Sequence, residues 1–138
     1  MRILILNGPN LNLIGQRQPE IYGNITFEQA LKQWQNEFDC EIEYDQSNLE
    51  GELINKLQNT NADAIVLNAG GYTHTSVAIR DAISSISTPV LEVHLSNITN
   101  RESFRHESML TPVCVGCILG LGMESYRLAL LYFCHQNL

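Results

Sequence analysis

Apolar residues follow two alternating rhythms along this chain: short unbroken runs, and longer stretches in which they return every three or four positions. The first pattern reads as buried strands and the second as amphipathic helices. Arg2 to Asn7 reads as a first strand, followed by a turn-rich loop from Gly8 to Gly23. Thr26 caps a helix through about Phe38, with Phe27, Ala30, Leu31, Trp34 and Phe38 at helical spacing. Cys40 to Asp45 is a second strand, and Asn48 opens a helix carrying Leu53, Ile54 and Leu57. Ala62 to Asn68 is a third, continuously apolar strand. Thr75 or Ser76 caps a helix to about Ile86, and Pro89 to His94 is a fourth strand. Ser103 to Ser108 reads as a short helical turn, Val113 to Leu119 as a fifth strand, and Met123 to Cys134 as a closing helix.

Five strands alternating with helices imply a parallel sheet covered on both faces and joined by right-handed crossovers. For this count the expected architecture is α/β, a flavodoxin-like three-layer sandwich with strand order 2-1-3-4-5. Ligands of such sheets bind beyond the carboxyl ends of the strands, near the switch point between strands 1 and 3. Asn7, Asn68 and His94 end strands 1, 3 and 4, so all three are expected at that crevice. No repeat, linker or low-complexity segment interrupts the pattern. Residues 1–138 are therefore expected to form a single catalytic domain, large enough to bury a core without staples.

Composition narrows the partners. With 44% hydrophobic and 17% charged residues the chain is an ordinary globule rather than a disordered one. A net charge of −7 argues against nucleic acid or an anionic membrane as partner, but leaves a small anionic substrate open. No apolar run reaches membrane-spanning length, and Ile3-Leu4-Ile5-Leu6 is too short for a secretory signal, so a cytoplasmic location is expected. Cys114-Val115-Gly116-Cys117 has C-x-x-C spacing but lies in an apolar run without a second ligand pair, and reads as structural thiols. No metal site is expected, because the histidines lack paired helical spacing and no carboxylates cluster with them.

The fourth strand is the most informative element. A carboxylate and an imidazole have no place in a hydrophobic parallel strand unless each has a partner. Glu92 and His94 are two residues apart, so both point to one side and can hydrogen-bond. A carboxylate holding an imidazole is a common way to orient a general acid or base. The loop Gly15–Gly23 lies over the crevice like a lid and carries Arg17 and Tyr22. A guanidinium beside a phenol favours the phenolate, and bringing tyrosine from about 10 to near neutral takes about 4 kcal/mol. Between strand 3 and its helix, Gly70 and Gly71 let backbone approach a ligand, while Asn68 and His74 are not needed for capping and read as binding groups. Arg80-Asp81 reads as a solvated pair or an interface contact. After strand 4 come Ser96, Asn97, Arg101, Arg105 and His106. Arg101 and Arg105 are candidates for a carboxylate or polyol, at least one of them being an ordinary surface charge.

Several function classes drop out. Gly8-Pro9-Asn10-Leu11-Asn12-Leu13 has no hydroxyl for a flavin phosphate. Asparagines stand where a phospho-aspartate receiver needs acidic residues. No G-x-S-x-G turn is present. Acid–base chemistry on a small polar molecule remains, with Tyr22 and His94 as titrating groups and the choice of base between them open. The alternative is a catalytically silent module that binds a small carboxylate.

Five motifs occur in order: ILNGPNLNLIGQRQPEIYG, QSNLEGELI, NAGGYTHTSVAIRDA, PVLEVHLSNITNRESFRHES and GLGMESYRLAL. Together they resemble the type II 3-dehydroquinate dehydratases from Arg2 to about His135. Ala69 departs from a proline that many members carry. The resemblance implies conversion of 3-dehydroquinate to 3-dehydroshikimate by anti elimination through an enolate, without a cofactor, in the shikimate pathway or in quinate breakdown. It makes Tyr22 the base, Arg17 the group that favours its phenolate, His94 the general acid and Glu92 its orienting carboxylate. Asn68 stabilises the enolate region through ordered water and contacts substrate. Leu95 and Ser96 hold the substrate carboxylate, and His74 and Arg105 the ring hydroxyls. Asn12 supports the lid, and Asp81 reaches the site of a neighbouring subunit in a homo-oligomer, a dodecamer of four trimers.

Overall fold

The computed structural model describes residues 1–14 and 25–136. Strands β1 (Arg2–Asn7), β2 (Glu41–Gln46), β3 (Ala64–Asn68), β4 (Val90–His94) and β5 (Gly116–Leu119) form one sheet. Their order is β2-β1-β3-β4-β5 and every neighbouring pair is parallel, the predicted flavodoxin-like topology. Helices α1 (Phe27–Glu37) and α4 (Glu124–His135) cover one face, and α2 (Glu50–Asn59) and α3 (Val77–Ser85) the other. The two-residue strand period divides the apolar runs between these layers. Ile3, Ile5, Val66, Leu91 and Val93 pack under α1 and α4, while Leu4, Leu6, Ile65, Leu67 and Val90 pack under α2 and α3. No helix among the described residues is long and apolar enough to cross a membrane.

Local chemistry sets the element ends. Thr26 and Gln29 close a reciprocal capping box at α1. Of the two candidate caps of α3, Ser76 is the one used, its Oγ accepting from Ile79 N at 2.9 Å. Asn48 does not open α2. Its Oδ1 accepts from Asn10 N and Gln46 Nε2, both at 3.0 Å, so it ties the turn after β1 to the turn after β2. Ser47 Oγ instead accepts from Leu49 N and donates to Glu52. The fifth strand is shorter than its apolar run, because Thr111–Val113 turns as a 3-10 segment where Pro112 has no N–H to give a ladder. β1 and β3 come together tightly at their carboxyl ends. A Cβ on Gly8 would lie 2.6 Å from Ala69 O, and Gly70 adopts φ 61° against the Pro9 carbonyl, so its freedom is spent on the protein's own backbone.

Candidate active site

A cavity of about 190 Å³ opens beyond the carboxyl ends of β3 and β4. Asn68, His74, His94, Leu95, Ser96 and Arg105, all singled out from sequence, line it together. Pro9, Asn10, Leu11, Leu13 and Ile14, following β1, form another wall, and Arg101 completes the polar side. Its size and mixed lining suit a small polar molecule.

Glu92 and His94 point to the same face of β4, as their spacing predicts. Nε2 of His94 lies 2.7 Å from Oε2 of Glu92. Glu92 is fully buried and His94 is 5% exposed. A carboxylate at that depth needs a full set of donors. Ser108 Oγ and Thr111 Oγ1 each donate to Oε1 at 2.8 Å, and Cys117 Sγ donates to Oε2 at 3.4 Å. Burial pushes the Glu92 carboxyl up, but His94 and these hydroxyls outweigh it, and the group stays below the usual carboxylate range. With Nε2 donating to an ionised carboxylate, Nδ1 is the imidazole nitrogen left for the cavity. Sequence reading missed Ser108, Thr111 and Cys117. The signal was available, since a strand carboxylate demands donors and these are hydroxyls and a thiol between β4 and the end of β5.

The depressed Glu92 makes stability depend on pH in a definite direction. Its contribution is complete above the unfolded-state value, about 4.3, and is lost as pH falls through the lower folded value. Glu92→Gln should therefore lower the thermal midpoint at pH 7 by more than at pH 3. An equal loss at both pH values would show that Glu92 stabilises by packing and not by its charge.

Asn68 is held from two sides. Its Oδ1 accepts from Gly70 N at 3.1 Å, and its Nδ2 donates to the Tyr126 hydroxyl at 2.8 Å. Tyr126 donates in turn to Asn7 Oδ1 at 2.7 Å. Asn7 was expected in the crevice, but it is fully buried beneath it and works as the anchor of this chain. Tyr126, on the closing helix, is also a core aromatic, packed between Phe27 and Trp34. Burial drives its phenol well above the ordinary tyrosine value, so it stays a neutral relay. Tyr126→Phe leaves two buried amide groups short of a partner and should cost about 2 kcal/mol of unfolding free energy. Denaturant unfolding checks this, and a loss below about 0.5 kcal/mol would mean that Asn7 and Asn68 find other partners.

His74 lies with Nδ1 2.6 Å from the Glu107 carbonyl, which makes Nδ1 the donor and leaves Nε2 for a ligand. Its ring stacks on His94 at 6.5 Å between centroids. Arg105 Nε donates to Glu102 at 2.7 Å, and Arg101 Nη1 reaches Ser96 Oγ at 3.4 Å. Both arginines, one of which was expected to be an ordinary surface charge, therefore face the cavity. Arg80 is half-buried and not paired with Asp81. Its Nη1 donates to Met109 O at 3.0 Å and fastens the segment that carries Ser108. Asn12 and Asp81 are exposed and lie outside the cavity lining. Arg17 and Tyr22 lie outside the described residues. The premise that no carboxylate clusters with a histidine is corrected: Glu92, His94 and Cys117 bring donor atoms within 4.8 Å of one another, because β4 and β5 pair Glu92 with Cys117.

Residues 1–134 match the family model described as dehydroquinase class II. The chain belongs to the class II dehydroquinases. It is 53% identical over 133 residues to the 3-dehydroquinate dehydratase of Exiguobacterium sp., covering 94% of this chain and 92% of that protein. It is 49% identical over 139 residues to the 3-dehydroquinate dehydratase of Acaryochloris marina, covering 97% and 93%. The crystal structure of the type II dehydroquinase from Butyrivibrio crossotus superposes with a TM-score of 0.90 at 45% identity, covering 96% of each chain. Ala69, the position at which the sequence resemblance expects a proline, has φ −77°, a value that proline also adopts, so the alanine is compatible with the same loop geometry.

Proposed function

We propose that this chain dehydrates 3-dehydroquinate to 3-dehydroshikimate by anti elimination through an enolate, with Tyr22 as base and His94 as general acid. Membership of a dehydroquinase family carries the overall reaction and its small-molecule substrate. The steps rest on the buried Glu92–His94 pair opening onto the cavity, the observation that carries the reading. Tyr22, as phenolate beside Arg17, takes the proton alpha to the ketone and leaves an enolate. The segment that carries both residues begins directly after Ile14, which lines the cavity. Asn68 has one amide hydrogen spent on Tyr126, and its second, through an ordered water, meets the enolate oxygen. The enolate then expels the beta hydroxyl, which takes a proton from Nδ1 of the imidazolium of His94 and leaves as water. Glu92 stays ionised, holds the ring by Nε2 and balances its positive charge. Solvent carries the proton from Tyr22 back to His94, so the cycle closes and draws on no cofactor.

The family resemblance supplies the substrate placement, and the wall groups are compatible with it. The Leu95 backbone, and the backbone and hydroxyl of Ser96, receive the carboxylate with Arg101 alongside, while His74 and Arg105 take the ring hydroxyls. Asn12 supports the lid segment. We place the whole of residues 1–138 in one cytoplasmic catalytic domain, assembled as a dodecamer of four trimers. Incubation with 3-dehydroquinate, followed by the absorbance of the conjugated product, tests the reaction. A protein that binds the substrate without turnover would be a silent module instead.

Exposed Asp81 is proposed to complete a neighbour's site. Asp81→Ala should therefore lower activity while the isolated fold keeps its thermal midpoint, and dilution that dissociates the wild type should lower specific activity in parallel. Full activity in a monomer separated by size-exclusion chromatography would remove this role.

A further inference from the structure

Cys117 is a third neighbour of the Glu92–His94 pair that the dehydration does not use. It stands opposite Glu92 in the parallel register of β4 and β5, so the two side chains share one face of the sheet. Its Sγ is 3.4 Å from Glu92 Oε2, and His94 Nε2 is 2.7 Å from the same oxygen. One atom from each residue lies within 4.8 Å of the other two. Thiolate, imidazole and carboxylate together are a donor set suited to zinc.

We propose that Glu92, His94 and Cys117 form a capture site for zinc, and that an ion held there stops dehydration by taking the imidazole away from acid catalysis. Tetrahedral zinc bonds of about 2.0–2.3 Å place donor atoms about 3.3–3.6 Å apart. The oxygen–sulfur separation already fits, and the nitrogen–oxygen pair must open by about 0.6 Å. Glu92 can turn Oε2 to the ion while Oε1 stays on Ser108 and Thr111, which supplies the outer hydrogen bonds that metal carboxylates need. Cys117 is only half-buried, so an ion can enter from its side, and a water can take the fourth position there. One thiolate and one carboxylate cancel the charge of the ion, and a neutral cluster is what a buried site tolerates. No electrons move. The thiol proton of Cys117 leaves for solvent, and the Nε2 proton of His94, until then hydrogen-bonded to Glu92, moves to Nδ1 when the ring is neutral and to solvent when it is imidazolium. The N–H left on a zinc-bound neutral imidazole is a far weaker acid than imidazolium, so the leaving hydroxyl goes unprotonated.

The inhibition half of this proposal rests on His94 as the acid, whereas the ion site does not. Cys40 and Cys134, with Sγ atoms 3.2 Å apart beside the amino end of β2, are a rival pair of soft donors. The experiment therefore uses a Cys40→Ser/Cys134→Ser background, stripped of metal and titrated with Co²⁺ as a spectroscopic stand-in for zinc. One cobalt per chain should bind with a thiolate-to-cobalt charge-transfer band in the near ultraviolet, and zinc should displace it. Zinc should also suppress turnover of 3-dehydroquinate, with recovery on adding a chelator. Adding Cys117→Ser should abolish the band and raise the zinc concentration for half-inhibition at least tenfold, each variant being measured against its own metal-free rate. No band in the background protein, a band that survives Cys117→Ser, or an unchanged zinc response would overturn the site. A band with undiminished turnover would keep the site and overturn both the inhibition and His94 as the acid.

Discussion

Tyr22→Phe should lower kcat by about a thousandfold, the scale of a general base removed from its proton, or about 4 kcal/mol of transition-state stabilisation. Only the phenolic oxygen is lost, so substrate should still bind with a KM within a few fold of the wild type. Arg17→Ala should fall in the same direction, because without the guanidinium less of Tyr22 is phenolate at neutral pH. The assignment rests on the resemblance to the type II 3-dehydroquinate dehydratases, and Tyr22 and Arg17 lie in the segment that follows Ile14 at the cavity wall. Steady-state kinetics decide it. A Tyr22→Phe enzyme within a few fold of the wild-type kcat leaves Tyr22 out of proton abstraction.

His94→Ala should be about as damaging to dehydration, again by 10²–10⁴-fold, but it should fail at a different step. In the proposed mechanism, proton removal uses Tyr22 and the enolate contacts of Asn68, and neither involves the imidazole. The variant should form the enolate, return a proton to it and go no further. In deuterated solvent, the alpha position of recovered substrate should then gain deuterium while little product accumulates. Loss of exchange and dehydration in equal measure would make His94 a positioning group. Dehydration at the wild-type rate would remove it from the mechanism.

Strand order and a sheet covered on both faces were legible in the sequence because both follow from five strands alternating with helices. Unbroken apolar runs such as Ala64 to Leu67 in β3 have to be buried on two sides, and right-handed crossovers leave few ways to arrange five such strands. The Glu92–His94 pair was legible for a similar reason, since two polar groups at strand spacing inside a hydrophobic strand demand each other. Contacts made across the fold were not. Tyr126 is 58 residues from Asn68 and 119 from Asn7, and a tyrosine in an apolar helix gives no local sign that its hydroxyl joins two strand ends. The same holds for Asn48, whose place before a helix suggests a cap while its side chain serves the turn after β1. Cys117 read as a structural thiol because its C-x-x-C lies in an apolar run without a second ligand pair. The relevant partner, Glu92, comes from the strand pairing.

Anti elimination requires the base and the acid to work on opposite faces of the substrate ring. The most direct measurement is therefore the fate of deuterium in 3-dehydroquinate labelled stereospecifically at the carbon that loses its proton. Substrate carrying deuterium on the face away from the departing hydroxyl should give unlabelled 3-dehydroshikimate with a primary isotope effect on kcat, and the other epimer should give fully labelled product. Retention of deuterium from the first substrate, with its loss from the second, would place base and acid on one face and contradict the pairing of Tyr22 with His94.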